Sequence, residues 1–147
     1  MARLHQRTRE QRGAAAVEFA LVAPLLLLLV FGVISYGYML SFRQALSQGV
    51  AEGARAGAVW PVGYDSSQDV AREAAALARI DEALGSYGVG CATTGVTCSV
   101  AVVDCDAGNR CLSVTVSYPY GDRPLTPDVP LVPLPGTLSY TSAARLT

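Results

Sequence analysis

A single carboxylate, Glu18, interrupts the run of residues 14–40, "AAAVEFALVAPLLLLLVFGVISYGYML", which carries no other charge. An ionised carboxylate is costly in hydrocarbon, so Glu18 either sits at a membrane interface or meets a cation supplied by a partner. The other reactive residues are Cys91, Cys98, Cys105 and Cys111, separated by six, six and five residues. There is no C-x-x-C, and the one histidine, His5, precedes the apolar run, so the spacing points to disulfides and away from zinc. Without a later histidine, Ser-His and Cys-His nucleophiles lack a base. Asp104, Asp106 and Asp122 stand near turns, where short acids serve the backbone. No glycine-rich phosphate loop follows a strand. The expectation is a protein that is not an enzyme, with no metal, no cofactor and no small-molecule substrate.

The elements that position these residues begin with the apolar run. It has 27 residues, and about 20 cross a hydrocarbon core of ~30 Å. Residues 1–13, "MARLHQRTREQRG", carry a net charge of +3, and residues 14–147 carry −4. A basic flank stays cytoplasmic, which places the remainder outside, where disulfides persist. The whole-chain charge of −1 offers no basic surface for nucleic acid. A conventional secretory signal has an apolar core of about 7–15 residues and a small-residue cleavage site. This run is far longer, and no A-x-A site closes it.

A different processing site fits the junction. In "RGAAAVEFALVAP", Gly13 ends the basic leader, the small Ala14 follows, and Glu18 is the fifth residue of a chain that begins at Ala14. This pattern resembles the type IV prepilin signal. The resemblance implies a cut after Gly13 by a membrane-embedded prepilin-type peptidase, and pairing of Glu18 with the new Ala14 amine of a neighbouring subunit. Pro24 removes one helix donor, which membrane helices tolerate.

Beyond Leu40 the chain stays free of proline until Pro61, so one helix over residues 14–59 is expected, with residues 41–59 projecting outside the membrane. Ala45, Gly49, Gly53 and Gly57 recur every four residues. Each glycine costs a helix about 1 kcal/mol, and small residues at this spacing admit close helix contact. The stripe is a contact face, either for the protein's own domain or for another subunit.

The segments "RGAAAVEFALVAPLLLLLVFGVISYG" and "RQALSQGVAEGARAGAV", the latter with "EGAR" at Glu52 to Arg55, resemble the TadE-like proteins, minor pilins or pseudopilins of tight-adherence (Tad/Flp) pilus systems in bacteria. The likeness covers residues 12–59. It implies a single-pass protein of the bacterial cell membrane, pilus-associated, whose partners are the lipid bilayer, the peptidase, other pilin-like subunits and the pilus assembly platform. The competing expectation is an uncleaved, membrane-anchored extracellular binding domain.

Residues 60–147 form the expected extracytoplasmic domain, of α+β class and disulfide-stabilised. "WPVGYDSSQD" reads as a loop, with Ser66 or Ser67 capping a helix over residues 68–84 that Gly85 closes. Val70, Ala74, Leu77, Ile80 and Leu84 mark its apolar face; Arg72, Glu73, Arg79 and Glu82 mark a solvated one. Strands follow over residues 96–104 and 111–118. A hairpin centred on Gly108 sets Cys105 opposite Cys111, Val102 opposite Val114 and Val100 opposite Val116. That register favours Cys105 with Cys111 and Cys91 with Cys98, one of three possible pairings. Residues 124–135 hold prolines at 124, 127, 130, 133 and 135, a polyproline pattern expected as a stiff connector over the sheet or as a partner-binding strip. "TLSYTSAARL" reads as a last strand.

Overall fold

The computed structural model describes residues 3–59, 65–106, 108–129 and 131–146. Its first element is the helix α1, Arg3–Ala58, with 56 residues and a length of about 84 Å at ~1.5 Å per residue. It starts earlier than the apolar run requires. Arginine, glutamine and glutamate propagate helix well, and the only proline inside the helix is Pro24, so the leader continues the same helix. The expected loop at residues 60–64 lies outside the described residues.

A single 3-10 turn, Ser66–Gln68, leads into α2, Asp69–Gly85. The strands are β1, Thr97–Asp106, β2, Asn109–Tyr118, and β3, Leu138–Arg145, antiparallel in the order β1-β2-β3. The architecture is therefore α+β, as expected, with disulfides joining Cys91 to Cys98 and Cys105 to Cys111.

Three local expectations require correction. Neither serine caps α2, whose N-cap Gln68 makes no side-chain cap hydrogen bond; Asp65 caps the 3-10 turn ahead of it, its carboxylate accepting the Ser67 backbone N–H at 3.0 Å and the Ser67 hydroxyl at 2.7 Å. Hydrogen bonds to the charged form hold the Asp65 carboxyl below its ordinary range.

The inner face of α2 is also rotated. Arg72, Ala76, Ile80 and Leu84 are buried, whereas Val70 is 78% exposed and Ala74 is exposed. The rotation follows from what α2 packs against, a face of α1 lined with small residues.

The register of the β1–β2 hairpin is the third correction. Val100 pairs with Val114 and Val102 with Leu112, two residues from the expected match: the innermost pair, Asp106 with Asn109, is offset by one from a turn centred on Gly108, and the irregularity between Asp104 and Asp106, which leaves Cys105 outside the regular ladder, adds the other. A two-residue slip preserves which face each side chain takes, so the valines stay inward. Gly108 has φ +84°, the left-handed conformation that a tight hairpin turn demands of a glycine.

Met39, Phe42, Leu46, Val50, Ala54 and Ala58 of α1 form one wall of the core. Their spacing of three or four residues makes a single stripe. Ala76, Ile80 and Leu84 of α2 and Leu112, Val114, Val116 and Tyr118 of β2 close on it. Large residues fill the stripe as far as Val50 and small ones continue it, so α2 makes its closest approach along the glycine-bearing end. A Cβ added at Gly49 would meet Ala83 Cβ at 3.2 Å, and one at Gly53 would meet the Ala76 carbonyl oxygen at 3.0 Å. Ala45, half-buried, packs against the same core.

Candidate functional site

Two regions of α1 carry the features that matter for function: the bare apolar length that begins at Gly13, and the level at which the domain docks. Residues 13–21 are exposed, with Phe19 at 73% and Leu21 at 70%. The segment Gly13–Ala58 is long and apolar enough to cross a membrane. A surface of leucine, valine and phenylalanine this continuous has no counterpart on soluble monomers.

Gly13, Ala14 and Glu18 are all exposed. Gly13 is helical, and a Cβ placed there would meet nothing within 4 Å. An enzyme cutting after Gly13 must therefore unwind a turn of helix locally, and the protein's own packing does not oppose a larger side chain. Ala14 and Glu18 are four residues apart, on one helical face. A chain beginning at Ala14 would convert a mid-helix position into a helix N-terminus, adding an ammonium group and the positive end of the dipole near the Glu18 carboxylate.

Sequence reasoning missed the docking level. Phe42 packs edge-on against Tyr87 and Tyr118 with ring centroids 5.1 and 4.8 Å apart, and Tyr38 meets Tyr87 at 5.6 Å. Around this cluster, the Ser41 and Tyr87 hydroxyls share a 2.6 Å hydrogen bond, and Arg43 Nε donates to the Tyr140 hydroxyl at 2.6 Å. Tyr118 donates to the Arg123 carbonyl at 2.8 Å. Burial pushes the Tyr118 and Tyr120 phenols above their ordinary range. The signal in the sequence was Tyr36, Tyr38 and Phe42 near the end of the apolar run, where aromatic residues favour a membrane interface.

At the far end of α1 the buried Arg72 acts as a cap. Its Nη1 donates to the carbonyls of Gly57 and Ala58 at 3.0 and 3.1 Å, and the last carbonyls of a helix otherwise lack partners. The charge expected on a solvated face instead closes α1. On the outer face, Arg79 and Glu82 pair at 2.8 Å with both side chains more than half exposed, a contact of little energetic weight.

Among the described residues, no group of three or more histidine, cysteine and acidic side chains converges to hold a metal ion. No curated protein and no solved structure matches the chain. One family model does, that of the TadE-like proteins, over residues 13–55, from the glycine at the candidate cleavage point to the arginine of the "EGAR" segment.

Proposed function

We propose that this chain is a minor-pilin or pseudopilin-like assembly component of a tight-adherence pilus in the bacterial cell envelope. It is made as a precursor, cut after Gly13 by a prepilin-type peptidase, and held in the membrane by residues 14–40 with its N-terminus cytoplasmic and its domain outside. The observation that carries this reading is the coincidence of three features at one point. The family match begins at Gly13, the last charge of the basic leader, Arg12, stands immediately before it, and Glu18 lies one turn beyond Ala14. The Ala14 amine and Glu18 of adjacent subunits then pair at the inner boundary of the hydrocarbon core. Such a pair is favourable only when both charges meet, so it rewards the correct axial register between helices. Other pilin-like subunits and the assembly platform are the partners.

The mass and N-terminal sequence of the protein recovered from its native membrane test the cut. A chain starting at Ala14 is expected; one retaining residues 1–13 would favour an anchored binding domain. Gly13→Leu should leave the precursor uncut while the domain melts as wild type does, since nothing packs against that position. Glu18→Gln should be processed normally but recovered with pilus subunits in much reduced amount, read by cross-linking in membranes. Undiminished recovery of that variant would remove the charge-pairing role.

A further inference from the structure

The proline-rich segment between β2 and β3 is anchored to the core by Leu125 and Leu134, but its middle reaches along α1 towards the membrane-spanning length. A Cβ at Gly32 would lie 3.5 Å from Val132 Cγ2, and the Tyr36 hydroxyl donates to the Pro133 carbonyl at 2.5 Å. Leu131, at φ +70°, is 88% exposed beside Leu28 and Leu29 of the helix.

Depth follows from helical rise. If Glu18 marks the inner interface, residues 19–38 supply the ~30 Å of a hydrocarbon core at ~1.5 Å each. The outer interface then falls at Tyr38, where the Tyr38 and Tyr87 rings meet edge to face. Gly32 lies six residues deeper along α1, or about 9 Å by the same rise. The segment against it is therefore below the interface.

Irregular backbone survives at that depth only where its polar groups are satisfied. Prolines 124, 127, 130, 133 and 135 have no N–H to satisfy. The Val132 N–H donates to the Val129 carbonyl at 3.1 Å, and the Pro133 carbonyl is taken by Tyr36. The exposed Asp128 bounds the insertion on one side.

We propose that residues 131–133 are a lipid-inserted tip, with Leu131 and Val132 among the acyl chains of the outer leaflet, so that the domain is fixed to the membrane at a second point. The partner is the lipid bilayer, in continuity with the exposed apolar surface of α1. This inference rests on the reading of residues 14–40 as membrane-spanning, and its test separates the two.

The chain has one tryptophan, Trp60. Two full-length variants lacking it through Trp60→Phe, one with Leu131→Trp and one with Phe31→Trp, are reconstituted in phosphatidylcholine vesicles with or without bromine on the acyl chains. Near-UV circular dichroism of the tyrosine cluster verifies the fold of each. Blue-shifted emission quenched as strongly for Leu131→Trp as for Phe31→Trp is the expected result. Quenching of Phe31→Trp alone would overturn the inserted tip and leave the span intact. Quenching of neither would overturn the span and the tip with it. Loss of quenching at position 131 alone as the protein-to-lipid ratio rises would identify a second copy as the occupant and overturn the lipid assignment.

Discussion

Arg72→Ala is expected to destabilise the C-terminal domain by about 3 kcal/mol, since a buried acceptor left without its donor costs ~1–3 kcal/mol. The buried guanidinium satisfies two carbonyls at the end of α1, and its loss leaves them away from water without a donor. For a domain of this size that corresponds to a fall in Tm on the order of 15 °C, read from the near-UV circular dichroism of the tyrosines in the detergent-solubilised full chain. Arg72→Lys should recover part of the loss, because an ammonium group keeps the charge at the helix C-terminus but lacks the planar fork. Arg72→Leu fills the volume without donating and should be as unstable as alanine. If leucine proves as stable as arginine, capping of α1 is not the role of this side chain.

Gly57→Leu should be of comparable severity, about 3 kcal/mol or more, since overpacking a tight contact typically costs ~1–3 and sometimes exceeds that. A Cβ at Gly57 would overlap the Leu112 side chain and stand 2.8 Å from the Arg72 carbonyl oxygen. Leu112 can turn aside, but the backbone of α2 can yield only by moving the whole helix. Gly57→Ala should lose less, because alanine returns about 1 kcal/mol of helix propensity. The same melting experiment applies, and wild-type stability of Gly57→Leu would mean that this stripe does not set the distance between α1 and α2. The contrast with Gly13→Leu is informative: two glycines in one helix, one fixed by packing and the other facing open space.

The elements were legible in the sequence because their signals are local. The apolar length of α1, the alternating valines of β1 and β2, and the turn at Gly108 each depend on neighbours a few residues away. The face of α2 was not legible for a particular reason. An arginine followed by a glutamate reads as solvent-facing until the end of α1 is known to lie beside it, and that end is 14 or 15 residues distant in sequence. The hairpin register missed by two because the innermost pair, Asp106 with Asn109, is offset by one from a turn centred on Gly108 and Cys105 then drops out of the ladder, and hydrophobic alternation is blind to an even slip. Gly13, Ala14 and Glu18 could be singled out from the sequence because charge, size and hydropathy change there within six residues. The tyrosine cluster could not, since Tyr38, Phe42, Tyr87, Tyr118 and Tyr120 come from three separate stretches of chain.

The stripe from Met39 to Ala58 makes α1 a wall of the domain as well as its tether. Where a protease cuts α1 therefore decides what survives: a cut ahead of Phe42 leaves the wall with the released domain, whereas a cut between Phe42 and Ala58 strips away one side of the core and leaves a fragment that cannot keep its fold. A domain shed with its structure intact must therefore begin no later than Phe42.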